Sequence, residues 1–253
     1  MTLEDGSSKL ADGTTTLADK LKEASDTAGD VNPSEKTYEM VSQPVEVEKT
    51  AVNEVPNYGT GFSPYFISLG LFVGALLISI VFPFVEPAIR PTNAGKWYLS
   101  KVSVLAVVGI IQALITVGIV KFALPIEVQN MGLFILTAII TSFTFLALIQ
   151  MLVSLFGDPG RFVGILVLIM QLTTSAGTFP LELIPSQLQV FNKFFPMTYT
   201  VQAFKTAIST TDTTFLFQNI GILIGYMVVC LLITFMYFRI MMKRRYSNAT
   251  VSE

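Results

Sequence analysis

The chain contains no histidine, a single cysteine, Cys230, and few charges: Asp, Glu, Lys and Arg make up 13% of its 253 residues, against about 25% in a typical globular domain. One cysteine allows no disulfide within the chain, and with no histidine beside it there is no Cys/His zinc site and no Cys-His or Ser-His-Asp centre. No run of five Lys or Arg offers a nucleic-acid footprint, so no nucleic-acid partner is expected. A G-x-x-x-x-G-K-[ST] loop is also missing, which excludes ATP binding of the Walker type by this chain. With no credible acid-base or metal cluster, the reading is a non-enzymatic protein that needs no cofactor.

What replaces charge is apolar length. Hydrophobic residues are 52% of the chain, and five stretches are nearly continuous: about Phe66 to Phe84, Val102 to Val120, Gly132 to Phe156, Phe162 to Phe179 and Phe215 to Phe238. Each approaches the roughly 20 residues that a helix needs to cross a hydrocarbon core. All are apolar nearly all round, which argues against soluble amphipathic helices. The fold class expected is therefore an all-α membrane protein with five transmembrane helices. None of the five carries Asp, Glu, Lys or Arg in its middle, so no proton relay or ion-coordinating carboxylate is available, and any transport would draw its energy from another chain.

Charge is unevenly placed. Residues 1–60 hold twelve acidic and five basic side chains, and the remainder six and eleven. Residues 1–30 repeat every seven, with Leu3, Leu10, Leu17 and Ala24 on one seam and Ser7, Thr14, Leu21 and Ala28 on another. That period predicts a helix with coiled-coil character, weakened by Gly6 and Gly13 and by a seam of small residues. A solvated acidic tail is the other reading. Met1 begins in mid-repeat with no charged or apolar leader region, and the segment is expected to be the remnant of a longer ectodomain. Residues 31–65 read as an extracellular linker in which Pro33, Pro44, Pro56 and Pro64 interrupt helix and Val45 to Glu48 alternates like a short strand. Gly59 and Gly61 loosen the approach to the first span, and Tyr58, Phe62, Tyr65 and Phe66 form an aromatic belt.

With the front segment outside, Arg90, Lys96, Lys101, Arg161, Arg239, Lys243, Arg244 and Arg245 all fall in the cytoplasm, against Lys121, Lys193 and Lys205 outside past residue 60. This follows the positive-inside bias. It places the carboxyl end, with residues 246–253 as a tail, in the cytosol, where its basic cluster meets anionic lipid. Residues 66–245 are thus expected to form one membrane domain.

Between the fourth and fifth spans lie two short amphipathic pieces, with Ile184, Leu188, Phe191 and Phe195 on one face and then Met197, Val201, Phe204 and Ile208 on another. Pro185 opens the first and Pro196 divides them. These pieces are expected at the headgroup level of the outer surface, as a re-entrant or interfacial segment that includes Pro180, Glu182, Pro185, Pro196, Thr198 and Tyr199. Gln112, Gln150 and Gln171 should point inward, either bonding neighbouring helices or lining a path. Gly70-x-x-x-Gly74 and Gly221-x-x-x-Gly225 permit close helix approach. The first cytoplasmic loop offers charge at Glu86, Arg90 and Lys96 and an aromatic anchor at Trp97, so it is read either as a docking surface or as a plain connector. Phe156 to Arg161 is a tight turn.

The run G-T-F-P-L-E at Gly177 to Glu182, followed by Ile184-Pro185, F-F-P-M-T-Y at Phe194 to Tyr199 and Ala203-Phe204-Lys205, resembles the segment before the last span of ABC-2 type permeases. Together with N-Y-G-T-G-F-S-P-Y-F at Asn57 to Phe66, it resembles more particularly the YhgE/Pip family, named for the phage infection protein. The resemblance covers almost the whole chain. It implies short extracellular helices over a translocation path, contact of the Glu86 to Lys101 loop with a separate ABC ATPase subunit, export, and a homodimer or an assembly with a missing N-terminal part. ABC-2 permeases usually have six spans and this chain has five. The alternative role within the same resemblance is a cell-surface receptor or scaffold for a phage or a secretion machine, with the bundle as an anchor in the lipid bilayer.

Overall fold

The computed structural model describes residues 3–29, 58–124, 126–175, 177, 183–210 and 213–245. The linker over 31–57, with its expected strand at Val45 to Glu48, the positions Thr178 to Glu182 and the tail 246–253 lie outside the described residues. Two compact units are present, Met1–Val52 and Asn53–Glu253. All regular structure among the described residues is helical, in eight helices.

In the first unit, α1 (Leu3–Gly29) realises the seven-residue pattern as helix. Leu10, Leu17 and Leu21 on its seams are all exposed. Thr14, Thr15, Thr16 and Thr27 each donate a hydroxyl to a carbonyl one turn back, a local bond that lets a threonine-rich segment stay helical.

In the second unit, α2 (Tyr58–Val81), α3 (Ala94–Phe122), α4 (Met131–Phe156) and α8 (Thr213–Arg245) are long and apolar enough to cross a bilayer. Between the last two lie α5 (Asp158–Thr174), α6 (Ser186–Asn192) and α7 (Pro196–Ser209). Of the long helices, α3 runs against the other three. Lys101 near its start reaches the Pro83 and Glu86 carbonyls just past the end of α2, and Trp97 meets Phe238 near the end of α8. Thr144 of α4 reaches Leu223 of the parallel α8. One end of the bundle, the Tyr58 end, therefore holds the starts of α2, α4 and α8. The other, the Arg161 end, holds their finishes and the starts of α3 and α5.

At the centre, α4 packs against α2, α3, α5, α7 and α8. Its buried face mixes Phe134, Phe145 and Ile149 with Thr137, Ala138, Thr141, Ser142 and Ala147. Short side chains at that face let five neighbours close on one helix. Phe145 meets Phe72 of α2 edge to face at 5.0 Å, and Phe134 meets Phe204 of α7 at 5.4 Å. Side chains such as Val107, Ile111, Ile115, Ile169, Val229 and Leu232 remain exposed on the outside of the bundle, as a surface wetted by lipid requires.

Several expectations need correction. The first span begins at Tyr58, not Phe66, and continues through Pro64. Proline removes one donor to the carbonyl at position 60, and Ser63 supplies a hydroxyl donor to that same carbonyl at 2.8 Å. The fourth expected span, Phe162 to Phe179, is realised as α5, which ends at Thr174. At 1.5 Å per residue it covers about 25 Å, short of a full ~30 Å core. Of the glycine pairs, Gly74 lies against the Gln112 amide, where an added Cβ would stand 2.6 Å from Nε2, but Gly70, Gly221 and Gly225 face open space. The tight turn is as expected: Gly157 has φ 69°, and α5 starts at once behind it. Asn93 and Asn130 cap α3 and α4 by accepting bonds from Gly95 N and Leu133 N.

Gly160 sets the spacing of the α4–α5 corner, since a Cβ there would stand 2.2 Å from the Leu152 carbonyl oxygen. Gly160→Ala should cost about 1–3 kcal/mol by overpacking, read as a thermal midpoint lower by several degrees in detergent. A variant that melts with the wild type would contradict this packing.

Candidate functional site

Two places in the membrane unit gather polar side chains, one at the Arg161 end and one where α6 meets α7. Both are built on backbone that has left its helix. In a bilayer such backbone needs partners from the protein itself.

At the Arg161 end, α2 finishes at Val81 and the chain crosses to Asn93 before α3 begins. The carbonyls freed there are taken by two cations. Arg161 donates from Nε and Nη2 to the Ser79 carbonyl at 3.0 and 2.8 Å and pairs through Nη1 with Asp158. Lys101, buried at 8% exposure, donates to both the Pro83 and Glu86 carbonyls at 2.6 Å, with its ammonium 4.8 Å from the centre of the Phe82 ring. Cations at the last carbonyls of a helix are favoured by its dipole as well as by the hydrogen bonds. The result is a loop held at both shoulders, with Glu86, Ile89, Arg90 and Lys96 exposed.

Trp97 does not belong to that exposed set. It is 5% exposed and packs on Phe238 of α8 at 4.6 Å. Its neighbour Tyr98 stacks near Phe235 and Phe238 and donates its hydroxyl to the Leu231 carbonyl at 3.0 Å. Trp97, read from the sequence as an anchor on the loop, forms with Tyr98 a strut between α3 and α8. An aromatic residue at a helix start looks the same in sequence whether it faces a partner or a neighbouring helix. Lys101, counted there merely as a cytoplasmic charge, is the residue that shapes the loop.

The second place is the α6–α7 turn. α7 does not lie flat on the bundle: Met197, Thr200, Val201, Ala203, Phe204 and Ala207 are buried against α2, α4 and α8, and the helix lies antiparallel to the first part of α8. Its start is fixed by Tyr226 of α8, whose hydroxyl donates to the Phe194 carbonyl at 2.9 Å and the Lys193 carbonyl at 3.2 Å. Tyr199 donates to the Lys193 carbonyl at 2.9 Å, and Thr198 to that of Asn192 at 2.6 Å. Asn192 in turn donates Nδ2 to the Thr174 carbonyl at the end of α5, at 2.5 Å. Thr200 and Ser68 bond across to α2 at 3.0 Å. Counting some 20 residues back from the basic cluster that starts at Arg239 sets the opposite edge of a ~30 Å core near Asn219, which leaves Tyr226 about 10 Å inside it.

The two pieces, expected as a re-entrant or interfacial segment, form a hairpin packed against the bundle. The reason is that every carbonyl exposed by the turn at Asn192, Lys193 and Phe194 has a side-chain donor, so immersion carries no unpaired-backbone cost. Pro196, Thr198 and Tyr199 meet there, and Pro185 stands just before α6. Pro180 and Glu182 lie outside the described residues.

The three glutamines do not converge. Gln112 bonds the Leu71 carbonyl at 2.7 Å. Gln150 lines a 260 Å³ cavity with Val102, Phe143 and Met227, and Gln171 is buried near the end of α5. Helix direction and handedness separate them, and a list of polar residues in apolar runs carries neither.

Replacing both Tyr199 and Tyr226 by Phe leaves the Lys193 and Phe194 carbonyls without these donors, at about 1 kcal/mol each. Trypsin cleavage after Lys193 in detergent should then quicken roughly tenfold. An unchanged rate would show that the hydroxyls do not hold the turn.

Comparison with known proteins agrees with this architecture. A model of the ABC-2 family transporter proteins matches residues 5–236. A protein of Bacillus subtilis (strain 168), described as the uncharacterized protein YhgE, is 42% identical over 214 residues, which are 85% of this chain and 28% of that protein. The chain therefore spans less than a third of that relative's length. A helical bundle with four long membrane-crossing helices, matched over most of its length, is what places the chain in a family: it belongs to the ABC-2 family of transporter proteins, as a multi-pass, YhgE-like membrane domain.

Proposed function

We propose that the chain is the non-enzymatic membrane subunit of an exporter, driven by a separate ATPase that docks on the loop between α2 and α3. The observation that carries this reading is the loop itself. Lys101 and Arg161 fix its backbone from the inside and leave Glu86, Ile89, Arg90 and Lys96 outward. A surface that transmits force from a partner needs such a rigid base, because a slack loop would absorb the motion. The absence of ionisable side chains from the middles of the long helices supports the same reading, since it leaves no ion gradient for the chain to use.

In this account α5 crosses as a fifth, short span, with the α6–α7 hairpin filling the remaining depth above it. The Arg161 end, rich in Lys and Arg, is cytoplasmic and the Tyr58 end is outside. Residues 1–57 are external and 246–253 cytoplasmic. A second copy of the chain is the proposed partner within the bilayer.

Two measurements test this. Arg90→Glu combined with Lys96→Glu should cut recovery of a co-purifying nucleotide-binding subunit from membranes at least tenfold, with the bundle still folded. Failure to recover any such subunit with the wild type would count against the reading. For sidedness, Lys121→Cys should react with an impermeant thiol reagent from outside and Arg90→Cys after the cytoplasmic face is opened. The native Cys230 is buried and gives little background.

A further inference from the structure

A lateral groove of 780 Å³ lies between α2 and α3 at the Tyr58 end. Tyr58 and Phe62 stack at its mouth with ring centres 4.2 Å apart. Its walls are apolar, with Phe66 and Ile119 on the two sides, and its deep end is at Gly70 and Thr116. No atom lies within 4 Å of where a Cβ on Gly70 would stand, so the floor is open. Phe66 and Ile119 are more than half exposed on the outer surface of the bundle, which opens the groove toward lipid and not toward the core.

Its dimensions and its rim both define an occupant. From Tyr58 to Gly70 the groove follows α2 for about 18 Å at 1.5 Å per residue, close to the ~15 Å that one leaflet contributes to the core. Lys121 follows directly on Ile119 and Val120 of the wall, is exposed, and has its ammonium 5.5 Å from the centre of the Phe122 ring. Lys121 is one residue along from Val120 of the wall and Glu127 one along from Ile126. A cation next to the groove, a tyrosine lining it and an apolar slot about one leaflet long fit a chain whose anionic head sits on the Lys121 side. A free phosphate would leave the slot empty, and an uncharged hydrocarbon would leave Lys121 unused.

We propose that this groove holds one acyl chain of an anionic phospholipid, with the headgroup phosphate beside Lys121. The bound chain fills the space between α2 and α3 at the Tyr58 end. The site is independent of which end faces the cytoplasm.

The test uses the full chain in mild detergent with palmitoyl-oleoyl phosphatidylglycerol or the matching phosphatidylcholine added, and counts retained lipids by native mass spectrometry. The wild type should hold one phosphatidylglycerol at least tenfold more tightly than phosphatidylcholine. Gly70→Leu, which projects into the open floor without meeting backbone, should abolish that retained lipid of either kind while its thermal midpoint stays at or above that of the wild type. Lys121→Gln should keep one lipid but lose the preference for the anionic head. Retention of the phosphatidylglycerol by Gly70→Leu would overturn the proposal, as would a wild type with no tightly held lipid, the outcome expected if another part of the chain fills the groove. A preference unaltered in Lys121→Gln would overturn the assignment of the headgroup.

Discussion

In a bilayer, backbone that leaves a helix must find its hydrogen bonds within the protein, and the membrane unit is organised around the places where it does so. Among the described residues, three of the places where helix continuity fails or weakens are at Pro64, after Val81, and between Asn192 and Pro196. Each is repaired by a side chain brought from close by or from another helix. Ser63 serves the first, Arg161 and Lys101 the second, and Tyr199, Tyr226 and Thr198 the third. Tertiary structure is tied down most firmly where secondary structure is interrupted.

That pattern links fold to function. The cations at the Arg161 end join α2, α3 and α5 through one short loop, so a push on the exposed Arg90 and Lys96 would be felt by three helices together. At the other end, Tyr226 joins the hairpin to α8, and Thr200 joins it to α2. α4 stands between the two sites and touches nearly every element. The small and hydroxyl-bearing side chains set among Phe134, Phe145 and Ile149 on its buried face let its neighbours pack closely.

Much of this was legible in the sequence because bilayers impose a coarse rule. Apolar runs of the right length announced the long helices, and Met131–Phe156 agrees with the expected 132–156 within a residue. The seven-residue repeat announced α1, and Pro196 marked the boundary between α6 and α7. What stayed hidden depended on contacts between distant residues. Nothing local to Pro185 or Pro196 says that Tyr226 will meet the turn from 30 residues away. Trp97 was assigned outward for the same reason, since its partner Phe238 lies at the far end of the chain. Hydropathy also overstated α5, because it reads the apolar residues after Thr174 as more helix.

Hydrogen exchange across the α6–α7 hairpin in the full chain, reconstituted in phospholipid vesicles, bears on this account most directly. If side-chain donors seal the interrupted backbone inside the membrane, the amides of Thr198, Tyr199 and Thr200 should exchange as slowly as those in the middle of α4, over hours. Exchange within seconds, at the rate of the open loop around Ile89 and Arg90, would mean that water reaches the turn freely and that the side-chain seal is absent.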